Sequence, residues 1–203
     1  MAFDTWLLYL LAAIGLSVTP GPNSLLVLTH GALHGWRRTL YTAAGGCVGF
    51  TVLIGLSMAG IGALLQTSAQ ALTVLKFIGG AYLVWLGWQI WRSPPIQLRP
   101  VAEAAPVGGV GLFRIGLLTA LSNPKALLFY GAFLPQFIDP QRPLWPQFGV
   151  MVATFITVEA ITEWLLALLA HRVRAGLERL GRRFNQACGA LFAAMGLALP
   201  LTR

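Results

Sequence analysis

Five side chains that could do chemistry stand in otherwise apolar stretches of this sequence: Asn23, Asn123, Lys125, Glu159 and Glu163. Lys125 follows Arg114 by about 11 residues, roughly 16 Å of helix, which is near the middle of a bilayer core about 30 Å thick. A charge at that depth is costly and marks function by default. It could hold a substrate carboxylate, or it could pair with a glutamate. Glu159 and Glu163 are spaced i, i+4 in Val158-Glu159-Ala160-Ile161-Thr162-Glu163-Trp164 and so share one helical face. Burial and mutual repulsion both disfavour two charges there. The pair could carry a proton, bind an ammonium or neutralise Lys125. Glu159 is the more central, and Glu163, nearer the inner interface, could simply face water.

The elements that position these groups must be membrane helices. Of the 203 residues, 57% are hydrophobic and 10% charged, with a mean hydropathy of +0.73. A soluble domain carries roughly 25% charged residues, so a disordered chain, a secreted disulfide scaffold and a cytosolic enzyme are all excluded. Six stretches are long and apolar enough to span: Trp6–Leu28, Leu40–Leu64, Leu72–Trp91, Leu112–Phe133, Phe148–Leu169 and Gln186–Leu201. They leave no second soluble domain, so residues 1–203 form one polytopic unit. Asp4 and the lack of a basic n-region argue against a cleaved signal peptide.

The net charge of +8 comes from arginines that punctuate apolar runs, which suits membrane topology rather than a nucleic-acid-binding face. Arg37 and Arg38 lie in the first connector; Arg92, Arg99 and Arg114 mark the third. The fifth holds Arg172, Arg174, Arg179, Arg182 and Arg183. Basic residues resist translocation, so the odd-numbered loops are expected in the cytoplasm and both termini outside. Trp85, Trp88 and Trp91 read as an interfacial belt, and Lys76 as a side chain snorkelling from the outer end of the third span.

The two halves repeat. Thr19-Pro20-Gly21-Pro22-Asn23-Ser24-Leu25-Leu26 in the first span matches Ser122-Asn123-Pro124-Lys125-Ala126-Leu127-Leu128 in the fourth, Pro22 aligning with Pro124. Gly80 and Gly87 in the third span have the same seven-residue interval as Gly189 and Gly196 in the sixth. Three spans per half force opposite orientations. The expected fold is therefore all-α: six transmembrane helices as two inverted three-helix repeats, about 1–91 and 112–203, joined by a loop at about 92–111, with the first and fourth helices broken at proline. Proline frees backbone groups that survive at membrane depth only inside protein or beside a wet cavity. Such paired interruptions point to a transporter's binding site.

Other groups are read more plainly. Cys47 and Cys188 have no metal-ligand spacing and are taken as small hydrophobes. His30 and His34 are i, i+4, but no carboxylate or cysteine beside them completes a metal site, so they are placed at a surface. Gly45, Gly46 and Gly49 favour close helix packing. An intramembrane enzyme would need a nucleophile with a base nearby, and no central Asp or His supplies one.

The pattern resembles the LysE/RhtB family of amino-acid exporters. The likeness rests on Thr19-Pro20-Gly21-Pro22-Asn23, on Lys76-Phe77-Ile78-Gly79-Gly80-Ala81-Tyr82-Leu83 with Leu86-Gly87, and on Asn123-Pro124-Lys125 followed by Phe133-Leu134-Pro135-Gln136-Phe137. It covers nearly the whole chain in order. The resemblance implies proton-motive export of amino acids or close relatives across a bacterial inner membrane, without ATP or a cofactor. It places the substrate at Pro20, Gly21, Pro22, Asn23, Asn123, Pro124 and Lys125. Glu159 and Glu163 are proton-coupling candidates on their own chemistry, not on the resemblance. Expected partners are the amino acid, protons and membrane lipids, and a homo-oligomer would suit the small chain. A divalent-cation exporter of related fold is the alternative, although carboxylates for a hard cation are few.

Overall fold

A computed structural model describes residues 1–19, 21–67, 69–92, 107–139, 141–170, 182–183, 185–190, 193–194 and 197. Among these residues the protein is wholly helical, with no strand. The first apolar run folds as two helices, α1 (Phe3–Val18) and α2 (Pro22–His34), set at 52° to each other. α3 (Trp36–Thr67) and α4 (Ala69–Arg92) follow. The fourth run is again divided, into α5 (Gly109–Leu121) and α6 (Pro124–Ala132), with a 3₁₀ turn at Leu134–Phe137. α7 is Leu144–Leu168, and residues 185–190 are also helical.

Both breaks have a local cause. α1 stops where Thr19 turns extended and folds its hydroxyl back onto the Gly15 carbonyl at 2.6 Å. Pro22 and Pro124 each occupy the first turn of the next helix, the one helical position where a missing N–H costs nothing. Asn123 also caps α6, its side-chain oxygen accepting from the Lys125 amide at 3.1 Å.

α3 over Trp36–Ile61 and α7 are each long and apolar enough to cross a bilayer, and α1 and α2 reach that length and apolarity only together, as a bent pair. Polarity is distributed accordingly. Leu7, Leu11, Leu56, Leu118 and Leu165 are exposed, whereas Asn23, Asn123, Gln147, Glu159 and Glu163 are buried. A surface of leucine around a polar centre is stable when lipid is the solvent. Trp85, Trp88 and Trp91 are exposed on α4, with the Arg92 guanidinium 4.7 Å from the Trp88 ring centre, as a membrane-interface belt requires.

The helices approach closely through small residues. α3 and α5 form the most extensive contact. A Cβ at Gly45 would fall 2.0 Å from the Phe113 carbonyl, and one at Gly116 would fall 2.0 Å from that of Thr42. Gly87 on α4 meets Gly189 in the same reciprocal way, each Cβ lying within 2.5 Å of the other's carbonyl oxygen. Backbone contact of this kind is available only to glycine. Between α1, α3, α6 and α7 lies an aromatic core that includes Tyr9, Phe50, Phe129, Tyr130, Phe133 and Phe155.

Candidate functional site

The two breaks meet. Asn23 in the first turn of α2 and Asn123 at the cap of α6 are joined side chain to side chain, Asn123 Nδ2 donating to Asn23 Oδ1 at 3.3 Å. Residues a hundred positions apart thus share one point, and Gly21, Ser24 and Lys125 stand beside it. These groups enclose a cavity of about 10 Å³, completed by Leu16, Phe50, Ala126, Phe155 and Glu159. That volume holds about one water. An amino-acid-sized ligand would fit in this space only if its walls parted.

Lys125 reaches across the break rather than into open space. Its ammonium donates to the carbonyl oxygens of Leu16 at 2.8 Å and Thr19 at 2.7 Å. These are carbonyls at the C-terminal end of α1, left over where the helix stops, and a cation there also meets the negative end of the helix dipole. Neither sequence-based reading of Lys125 described this arrangement. Among the described residues the ion pair formed is Arg142–Asp139 on the surface, at 3.0 Å. Gly21 makes room for the lysine: a Cβ there would lie 3.0 Å from Nζ and 3.1 Å from Cε.

The two glutamates differ. Glu159 is 4% exposed and accepts a hydrogen bond from the Ser17 hydroxyl, which ties α7 to the last turn of α1. Glu163 is 1% exposed, so of the two readings left open for it, burial or a water-facing position, the structure shows burial. Neither of its oxygens has a hydrogen bond of ordinary geometry among the described residues, and its polar neighbour is the Asn23 side chain. Gly46 fits between them: a Cβ there would stand 3.0 Å from Asn23 Nδ2 and 3.5 Å from both Glu163 oxygens. Gly46 therefore belongs to the site, whereas Gly45 and Gly49 serve helix packing as expected.

Of the expected site residues, Gly21, Asn23, Asn123, Lys125 and Glu159 line one cavity. Glu163 lies next to Asn23 beyond Gly46, and Pro22 and Pro124 shape the helix starts without lining the space. Pro20 lies outside the described residues. His30 corrects its surface assignment. It is buried, with Nδ1 2.8 Å from the Thr42 hydroxyl, because α2 packs against α3 along this face. Sequence reasoning also missed Ser17, Phe50 and Phe155. A hint lay in the i, i+4 repeat that places Gln147, Met151, Phe155, Glu159, Glu163 and Ala167 on one buried stripe of α7.

The fold and site define a polytopic membrane protein whose two interrupted helices bring amides, a lysine and an acidic pair together at the centre. The chain belongs to the LysE type translocator family, whose model matches residues 14–202. It is 35% identical to the homoserine/homoserine lactone efflux protein of Salmonella typhimurium over 206 residues, covering 100% of this chain and 99% of that protein. A leucine efflux protein of Enterobacter sp. is 34% identical over 197 residues, covering 94% of this chain and 92% of that protein. A Vibrio cholerae membrane protein is 37% identical over the full length of both chains. No solved structure matches the chain.

Proposed function

We propose that the protein is a secondary active transporter that exports amino acids or close derivatives from the cytoplasm, driven by the proton-motive force. Six spans in two inverted repeats would work by alternating access in a bacterial inner membrane, with the odd-numbered loops cytoplasmic and both termini outside. The observation that carries this reading is the meeting of the two breaks: Asn123 bonds Asn23 beside a lysine held on α1 and a glutamate held by Ser17. Full-length similarity to homoserine and leucine efflux proteins supports the choice of substrate class.

The zwitterion would sit between the half-helices. The N-termini of α2 and α6 carry partial positive charge suited to a carboxylate, and α2, unlike α6 with its Asn123 cap, has no side-chain cap on its first N–H groups. Gly21, the cap of α2, brings no side chain to occupy those donors. Glu159 and the carbonyls now holding Lys125 would face the ammonium. Glu159 or Glu163 would take up the coupling proton as the site opens. The alternative reading is a divalent-cation exporter of related fold; among the described residues no group of three or more His, Cys, Asp or Glu could hold a metal ion.

The test uses inside-out vesicles energised by a proton gradient and a panel of labelled amino acids. Uptake that is abolished by an uncoupler and by Lys125→Ala supports the reading. Absence of uptake across the panel, with protein folded and inserted, overturns it.

A further inference from the structure

The cavity is lined by two kinds of residue: Asn23, Ser24, Asn123, Lys125 and Glu159 are polar, while Leu16, Phe50, Ala126 and Phe155 are apolar. The buried stripe of α7 changes character at this point. Glu159 and Glu163 follow the cavity toward the helix C-terminus, whereas Phe155 and Met151 precede it. On α3 the same change separates Gly46, which abuts Asn23 and Glu163, from Phe50 and Ile54.

Among the apolar residues Phe50 and Phe155 pack together. Their rings meet edge to face at 5.4 Å, and Tyr130 packs against both, at 6.5 Å and 5.4 Å. Phe50 is 3% exposed and Phe155 1%, and behind them the core continues through Phe129, Phe133 and Tyr9. Any enlargement of the space on this side proceeds through aromatic surface. Among the described residues the buried acids are Glu159 and Glu163, both on the other side of Phe155.

We propose that Phe50 and Phe155 form the side-chain wall of the substrate site and restrict it to neutral amino acids of limited size. The inference rests on the export reading above, since the polar lining must hold the α-carboxylate and α-ammonium. The side chain then projects onto the two rings. An apolar or hydroxyl-bearing side chain tolerates that surface, because a hydrophobic pocket discriminates weakly against an added hydroxyl. The ammonium or guanidinium of a basic side chain would be buried there with no carboxylate among the described residues to pair it, a state that proteins avoid.

The experiment is competition in the same vesicles, with glycine, homoserine, leucine, tryptophan and lysine measured on the unmodified protein and on Phe50→Ala and Phe155→Ala. The readout is the ratio of initial rates for tryptophan and homoserine, which is independent of the amount of protein inserted. The unmodified protein is expected to move neutral substrates and leave lysine behind. Each alanine variant should raise the tryptophan-to-homoserine ratio by about tenfold or more, the effect of a few methylene-sized groups in an apolar pocket. Where an alanine variant fails to insert, Phe50→Leu and Phe155→Leu carry the same measurement with a smaller change in volume. Lysine export by the unmodified protein at the rate of leucine, or an unaltered ratio in inserted variants, overturns the proposal and leaves amino-acid export standing. If no amino acid moves at all, the export reading falls and this inference falls with it.

Discussion

Gly21 and Lys125 fit each other across the two breaks: a Cβ at position 21 would stand 3.0 Å from the lysine ammonium, which is itself fixed to the carbonyls of Leu16 and Thr19. The glycine is not required by its backbone, which is extended at φ −152° and open to any residue. Its role is to leave space. Gly21→Ala is therefore expected to fold and insert, but to shift the ammonium by a few tenths of an ångström. Transport should fall roughly tenfold, since misplacements of up to about 1 Å in a working site cost up to about a hundredfold. Initial rates normalised to membrane content check this, and an unchanged rate would show that the fit between the two residues has no functional weight.

Removing the lysine itself has a structural consequence. Lys125→Met keeps an unbranched side chain only one atom shorter but leaves two α1 carbonyls without a donor, at about 1–3 kcal/mol for a buried unsatisfied group. A lower thermal midpoint in detergent is expected. Lys125→Arg should not restore it, because the planar guanidinium is bulkier and less adaptable than an ammonium and the space beside Gly21 is already filled. Full recovery with arginine would mean that charge alone matters at this position.

How far the sequence anticipates this site depends on the range of the interaction concerned. The breaks are readable because Pro22 and Pro124 act locally, within one turn, and Asn123 is a recognisable cap. The i, i+4 glutamates are readable because a helix fixes their common face. The destination of Lys125 is not, since it bonds backbone oxygens more than a hundred residues away, and a backbone acceptor leaves no mark in residue type. His30 shows the same limit: its burial comes from the crossing of α2 over α3, which brings Thr42 to its ring. Gly46 looks identical in sequence to its packing neighbour Gly45 and differs only in what it faces.

The two glutamates should separate in a coupling assay. Ser17 donates to Glu159, holding it against α1, while neither Glu163 oxygen has a hydrogen bond of ordinary geometry among the described residues and its polar neighbour is Asn23. Glu159→Gln is expected to leave the protein folded and to remove the dependence of transport on the pH gradient. Ser17→Ala should weaken that dependence without abolishing it, because the carboxyl group remains. Counterflow without a gradient, compared with gradient-driven uptake, distinguishes coupling from substrate binding. Gradient dependence that survives Glu159→Gln would take Glu159 out of the coupling step and leave Glu163 as the remaining acidic candidate.

The glycine contacts predict opposite outcomes for the same chemical change. At Gly45 and Gly116 a Cβ would come within 2.0 Å of a backbone carbonyl on the facing helix. Backbone cannot rotate away as a side chain can, so α3 and α5 must separate along their length. Overpacking typically costs about 1–3 kcal/mol, and a clash with backbone lies at or beyond the upper end of that range. Gly45→Ala and Gly116→Ala should therefore lower the thermal midpoint sharply or prevent accumulation in the membrane. Gly149 is also helical, in α7, but no atom lies within 4 Å of its added Cβ. Gly149→Ala gains only helix propensity, about 0.5–1 kcal/mol, and should raise the midpoint slightly. Thermal unfolding of the three variants in one detergent tests the helix contact directly, since a loss of stability at Gly149 equal to that at Gly45 would mean that proximity between α3 and α5 is not what the glycines provide.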